Sequence, residues 1–270
     1  MEPVSSFSAQ RHSLSAKAEF CREVILAAGI LAMDGYSKVA TRKTALKGPQ
    51  DYLTETDAAC ERFIRERIEQ AYPDDGFFGE EEGGSITSST WVVDPIDGTA
   101  NFARNIPHFC ISIAYVEAGE AQIGAIYNPV INELYFARRG HGATKNGAPI
   151  AVASTDRFDS TSVEFGWSTR IPNAVYIETA HRILTLGANV RRSGSGALAL
   201  AYVAEGRSDA YAELHMNSWD CLAGLLIVEE AGGRVCPYFE TGTLEAGGPV
   251  LAAAPGIAIE FSKATGIRLA

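Results

Sequence analysis

One six-residue string limits this chain more than any other: Asp94-Pro95-Ile96-Asp97-Gly98-Thr99, entered directly from the apolar run Trp91-Val92-Val93. Such an apolar triplet reads as a buried strand. In a strand that simply continued, residues three apart would face opposite ways, and Asp94 and Asp97 would be separated. Pro95 cannot donate to a ladder and holds Asp94 extended. Gly98 opens conformations closed to other residues. The sequence therefore predicts a strand that stops near Val93, then a sharp turn that brings both carboxylates to one point. Two hard oxygen ligands at a strand end suit Mg2+. Aspartate is also an ordinary turn residue, so DxxD alone leaves both readings open. The complete string off an apolar strand is far more specific.

Further acids gather around this string. Phe78-Gly79-Glu80-Glu81-Glu82 stands alone as a solvated acidic loop, or as a source of another ligand. Leu53-Thr54-Glu55-Thr56-Asp57 opens a helix, with Asp57 also placed to cap it. Trp219-Asp220 begins another helix, where Asp220 is likewise a candidate cap. Two carboxylates about 4 Å apart repel by about 1 kcal/mol in water and about 4 kcal/mol at an effective dielectric of about 20. If these acids converge, they must take up protons or cations.

The formal net charge is -10, which argues against a nucleic-acid partner, since that would want a basic stripe. It does not argue against an anionic substrate, because bound metal reverses the local field. The balance of 46% hydrophobic and 21% charged residues is that of a globular protein. Cys21, Cys60, Cys110, Cys221 and Cys236 are scattered and form no CxxC pair, which reads as reduced thiols in a cytoplasmic protein. The apolar runs fall short of a membrane span. Residues 1–15 lack the apolar stretch of a secretory signal and read as a flexible lead-in.

Helical spacing predicts one helix capped by Ser15 and reaching about Met33, with Phe20, Val24, Ala27, Ala28 and Leu31 on its buried face, and a second from Asp57. Residues 47–51 read as a turn-rich loop. Strands are expected over 110–116, 121–127 and 133–137, with a hairpin turn at Asn146-Gly147. The second half alternates strands near 162–165, 189–192, 208–214, 234–236 and 250–253 with helices over 173–186, 196–204 and 220–231 and a closing helix. The expectation is an α/β sandwich, one domain over 1–270 with two packed halves, about 16–153 and 154–270.

Rival motifs are weaker. Gly194-Ser195-Gly196-Ala197-Leu198-Ala199 fits a dinucleotide fingerprint. It comes late, however, and Asp209 and Glu213 follow too soon for a ribose partner. No GxSxG elbow or P-loop occurs. The five histidines form no close metal pair, and His215 is the one placed to line a pocket near Asp220.

Read together, KGPQDYLTETD, FFGEE, WVVDPIDGTANF and SWDCLAGLLIVEEAGG occur in that order across residues 47–233 and resemble the metal-binding motifs of the inositol monophosphatase family. The resemblance implies an αβαβα sandwich of the inositol monophosphatase / fructose-1,6-bisphosphatase type, a homodimer, and lithium-sensitive, Mg2+-dependent hydrolysis of a small phosphate monoester with two or three ions. It assigns metal ligation to Glu80, Asp94, Asp97, Asp220 and the Ile96 carbonyl, with Asp57 serving an additional ion. It implies direct attack of water on phosphorus, with Glu80 and Thr99 orienting the water and Asp220 positioning the water that protonates the leaving group. The Gly98 and Thr99 amides, beside Asp97, would hold phosphate oxygens if a helix begins there. Lys47 falls in a loop that the family brings near the metals, or is a plain surface lysine. Gly194, Ser195, Gly196, Glu213 and Asp220 match the family's contacts to inositol hydroxyls, although Glu213 also reads as an exposed strand acid. The implied substrate is myo-inositol 1-phosphate, with histidinol phosphate and other sugar or nucleotide monoesters as alternatives. A regulatory, protein-binding role with secondary phosphatase activity is the alternative of a different class. Leu222 replaces a small residue of the family pattern and is expected to pack.

Overall fold

Helix α1 (Leu14–Ser37) begins where a serine can take up a free amide: the Ser13 side chain accepts from the Ala16 amide at 3.2 Å. The cap is thus Ser13 and not Ser15, and the helix runs past Met33 to Ser37. The computed structural model describes residues 13–38, 44–48 and 51–270. Most of the expected lead-in, residues 1–12, lies outside the described residues. The buried face of α1 is Ala18, Cys21, Val24, Ile25, Ala28 and Ala32, while Leu31 is exposed. Small residues win this face because the helix lies close to its neighbours: a Cβ on Gly29 would fall 2.3 Å from the Tyr127 ring.

Strands β1 (Thr44–Gly48) and β2 (Asp51–Thr54) pair antiparallel, so most of the expected loop at 47–51 is hairpin, with residues 49–50 outside the described residues. Helix α2 (Glu55–Ala71) follows; it begins at Glu55, not Asp57. Next come β3 (Gly76–Gly79), β4 (Gly83–Ser85), β5 (Ser89–Asp97), the short helix α3 (Thr99–Ala103), β6 (Cys110–Glu117), β7 (Glu120–Asn128), β8 (Glu133–Arg138), β9 (Ala143–Lys145) and β10 (Ala148–Pro149). These strands form one sheet of order β10-β9-β8-β7-β6-β5-β3-β4. It is antiparallel except where β3 runs parallel to β5. Asn146 and Gly147, both at positive φ, make the expected hairpin turn.

The second half supplies β11 (Ser162–Phe165), α4 (Asn173–Thr185), β12 (Asn189–Arg191), α5 (Gly196–Ala204), β13 (Ala210–Met216), α6 (Ser218–Glu230), β14 (Arg234–Val235), α7 (Tyr238–Thr241), β15 (Gly248–Ala253) and α8 (Ala258–Thr265). Its five-stranded sheet has the order β12-β11-β13-β15-β14, with β11 parallel to both neighbours.

Strand alternation explains the layering. Trp91 and Val93 of β5 enter one core with Ile25 of α1 and Ile64 of α2; Val92 enters another with Leu198 of α5 and Leu226 of α6. The first sheet is therefore covered on both faces. Helices α5 and α6 fill the space between the two sheets, and α4 and α8 close the far side of the second. The result is the expected αβαβα sandwich. Among the described residues no helix is long and apolar enough to cross a membrane. All five cysteines are free and buried.

One buried ion pair locks the first layer. Lys17 is 4% exposed; its ammonium meets Asp75 at 2.5 Å and the Tyr115 hydroxyl at 2.8 Å, and Trp91 Nε1 donates to the same Asp75 oxygen at 2.9 Å. Removing one partner of a buried pair strands the other charge, a loss of about 3–5 kcal/mol. Lys17→Met should therefore lower the unfolding free energy by that amount in urea titration. A loss below about 1 kcal/mol, the value of an exposed pair, would show that the network does not carry the layer.

Candidate metal centre

The two aspartates of the DPIDGT string come together by a different route from the expected turn. Strand β5 does not stop at Val93 but runs to Asp97. Asp94 pairs with Ser112 and Asp97 with Cys110, so Pro95 and Ile96 together oppose the single residue Ile111. This is a β-bulge, one of the few places a sheet interior accepts proline. The extra residue cancels the alternation that would have sent the two aspartates to opposite faces. Gly98 then takes a left-handed conformation, φ 94°, and caps α3. A side chain there would be strained, and its Cβ would lie 3.1 Å from the His108 carbonyl oxygen.

Two other elements deliver acids to the same point. Gly79 of β3 pairs with Val93, and the next residue is Glu80, whose amide donates to the Val93 carbonyl at 3.2 Å. Glu80 therefore follows a strand; the acidic segment is no free loop. Asp220 is the third residue of α6, whose cap is Asn217, so Asp220 is not the cap itself. Its place in the first turn sets a negative group at the favourable end of the helix dipole. The Ser112 hydroxyl donates to the Trp219 carbonyl at 2.9 Å, and the Phe78 and Trp219 rings lie 5.4 Å apart. The flanks of Glu80 and Asp220 are thereby fixed to each other. Oxygens of Glu80, Asp94 and Asp220 all lie within 4.8 Å of one another.

Asp97 is held apart from that trio. Its Oδ2 accepts from the Ser195 hydroxyl at 2.6 Å and the Ala197 amide at 2.7 Å, and its Oδ1 from the Gly196 amide at 3.3 Å. The Gly194-Ser195-Gly196 segment is thus the N-terminus of α5 wrapped around a carboxylate. Asp57 is fully buried. It completes a capping box with Thr54, accepting from the Thr54 amide at 3.0 Å. The Thr99 hydroxyl stands 2.9 Å from the Ile96 carbonyl oxygen and 3.2 Å from Asp57 Oδ1; with one proton it donates to one of them at a time. Lys47 lies in β1, and its side chain is outside the described residues.

These groups border a cavity of about 280 Å³. Its lining includes Glu80, Asp94, Asp97, Thr99 and Asp220 together with Glu164, Trp167, Arg192, Tyr211 and Glu213. Glu213 accepts from the Tyr211 hydroxyl at 2.6 Å. Gly166 makes room for it, since a Cβ there would lie 1.9 Å from Glu213 Oε2. His215 does not border the cavity; its Nε2 lies 2.9 Å from the Ala246 carbonyl oxygen. Leu222 is buried in the core, as expected.

Glu164, Tyr211, Trp167 and Arg192 were not found from the sequence. Glu164 had a signal: a lone acid between Val163 and Phe165 in strand β11. It is 2% exposed and accepts from both the amide and the hydroxyl of Ser193 at 3.0 Å, which fixes the segment that holds Asp97.

The electrostatics follow from burial. Desolvation, then repulsion from Glu80, Asp220 and Asp97, holds the Asp94 carboxyl well above the ordinary carboxylate range. Asp220 is raised by burial first, then by Asp97 and Glu80. Asp97 is raised by burial against the opposing bonds from Ser195, Ala197 and Gly196. Burial raises Asp57 to about 6, although the Thr54 bond opposes it. Hard oxygen donors, crowded, desolvated and raised in this way, fit a divalent cation such as Mg2+.

The sequence profile of the inositol monophosphatase family matches residues 14–265. A Nus factor SuhB of Xylella fastidiosa is 41% identical over 214 residues, 78% of each chain. Among solved structures, the extragenic suppressor protein suhB of Bartonella henselae superposes with a TM-score of 0.86 at 32% identity, covering 93% of this chain and 98% of that one. An IMPase of Thermotoga maritima gives 0.82 at 31%, covering 93% and 96%.

Burial also raises Glu213 to about 7. Its unfolded value is about 4.3. The fold therefore favours the protonated acid: that stability is present below the unfolded value and is lost as pH rises through about 7. Glu213→Gln should remove this loss. In metal-free buffer its unfolding free energy should gain on the wild type by about 2 kcal/mol between pH 5 and pH 8, allowing for partial exposure. A gap between the two proteins that is constant across that range would refute the raised carboxyl.

Proposed function

Because the chain belongs to the inositol monophosphatase family, we propose that it is a Mg2+-dependent phosphatase of small phosphate monoesters, with myo-inositol 1-phosphate as first candidate substrate. The observation that carries this reading is the trio Glu80, Asp94 and Asp220, brought within 4.8 Å from three separate elements at the wall of one cavity. Glu80, Asp94, Asp97, Asp220 and the Ile96 carbonyl would hold two ions, and Asp57 the surroundings of a third. Magnesium bound there supplies positive charge against the phosphate and makes a nearby water more acidic.

The chain's own groups do the rest. Thr99, steered by Asp57 and the Ile96 carbonyl, orients the attacking water, and Glu80 accepts its proton. Asp220 positions the water that returns a proton to the leaving oxygen. The Gly98 and Thr99 amides, at the start of α3 and on residues that border the cavity, would hold phosphate oxygens. Glu213 accepts from neighbouring hydroxyls of the leaving group, and the Ser195 segment holds Asp97 in place. Histidinol phosphate and other sugar or nucleotide monoesters fit the same chemistry. The protein acts as a cytoplasmic homodimer, inhibited by lithium, in this reading.

The name of the Xylella relative, Nus factor SuhB, favours a second reading: a regulatory role through protein contacts, alongside hydrolysis. Carboxylate variants separate the two, because they remove hydrolysis and leave a surface contact intact.

The test is phosphate release with and without Mg2+ across myo-inositol 1-phosphate, histidinol phosphate, fructose 1,6-bisphosphate and 3'-phosphoadenosine 5'-phosphate. Asp94→Asn and Asp97→Asn should each lower turnover by more than about 100-fold, beyond the loss typical of residues that only orient ligands. In metal-free buffer Asp94→Asn should melt higher than the wild type, since one repelling carboxylate is gone. Added Mg2+ should raise the wild-type Tm but not the variant's. Full Mg2+-dependent turnover in either variant would rule out the assignment.

A further inference from the structure

Glu61 is a buried acid to which the mechanism above gives no task. Glu61 lies one turn beyond Asp57 on the buried face of α2, between Asp57 and Ile64, and is 0% exposed. A carboxylate this deep is costly unless every lone pair is met, so its partners show what it is for. Oε2 accepts from the Glu81 amide and Oε1 from the Glu82 amide, both at 2.8 Å. Arg65, one turn further along α2, reaches Oε1 at 3.2 Å and donates to the Gly83 carbonyl at 3.0 Å. Its guanidinium lies 4.4 Å from the centre of the Phe77 ring in β3. The two side chains together grip three consecutive backbone units of the β3–β4 turn.

Glu80 stands directly before that grip. On its other side the β3–β5 ladder holds it, through its own amide on Val93. Glu61 is also the reason Gly79 has to be glycine: a Cβ there would lie 2.5 Å from the Glu61 carboxyl carbon. Helix α2 does not need Glu61 for attachment, since Cys60, Ile64 and Ile68 already bury its apolar face. What the clamp adds is the direction in which the chain leaves β3, and therefore where the Glu80 carboxylate sits relative to Asp94 and Asp220.

We infer that Glu61, braced by Arg65, is a positioning residue that sets Glu80 for metal binding. The inference rests on the metal-centre reading above. Glu61→Gln keeps the shape but turns an N–H₂ group toward an amide that needs an acceptor. Direct Mn2+ binding, measured by calorimetry, should weaken about 10–100-fold, the range for groups that orient ligands. The Mg2+ concentration for half-maximal phosphate release should rise in parallel, while KM for substrate at saturating Mg2+ stays at the wild-type value. Arg62→Gln, which removes only the exposed Arg62–Glu82 pair, is the control and should leave Mn2+ affinity unchanged. Should Glu61→Gln fail to fold, Arg65→Met loosens the same clamp from its exposed side and should weaken Mn2+ binding about tenfold. Folded variants with lower Tm but wild-type Mn2+ affinity would overturn the inference and leave Glu61 a purely structural acid. Failure of the wild type itself to bind Mn2+ would instead sink the metal centre, and this inference with it.

Discussion

Carboxylates that repel one another, held together by backbone, set the terms for the rest of this fold. Glu80, Asp94 and Asp220 approach within 4.8 Å in a desolvated wall, where each unit charge raises the cost of the next. No flexible loop would hold them there. Each is carried by an element whose own bonds are satisfied elsewhere: β3 through its ladder to β5, β5 through its ladder to β6, and α6 through Ser112 at its start. The centre is a place where secondary structure opposes electrostatics, an opposition that a bound divalent cation would resolve.

Helix starts serve the same centre twice. The first amides of α5 donate to Asp97, and Glu164 fixes the segment before them through Ser193. The first turn of α6 carries Asp220. Both helices lie between the two sheets, so their starts are as firmly seated as the core. The αβαβα layering is what lets one cavity draw acids from a strand bulge, a strand end and a helix start at once.

The rest of the cavity lining is of different character. Trp167, Arg192, Tyr211 and Glu213 offer a ring, a cation and an acid of raised pKa. In the proposed reaction these groups would meet the part of the substrate that is not phosphate, and their mixture suits a leaving group rich in hydroxyls.

The sequence by itself determined the family and most elements. The strand at 162–165 and the helix at 196–204 match their expected bounds; the helix is one continuous apolar run between Gly194-Ser195 and Glu205-Gly206, which leaves little choice. Asp94, Asp97, Glu80 and Asp220 were legible as candidate ligands from motif and order alone. What it did not determine was how they meet. A turn after Val93 was expected, yet the structure has a bulge, because β6 goes on pairing with β5 at Asp94 and again at Asp97, on either side of Pro95 and Ile96. Strands β3 and β4 were missed: four and three residues long, rich in glycine, they exist only through pairing with β5 and with each other. Glu61 and Glu164 were passed over because a buried acid declares its role only through partners distant in the chain. Local pattern is a property of neighbours in sequence; pairing, burial and the convergence of like charges belong to neighbours in space, and those only the tertiary structure decides.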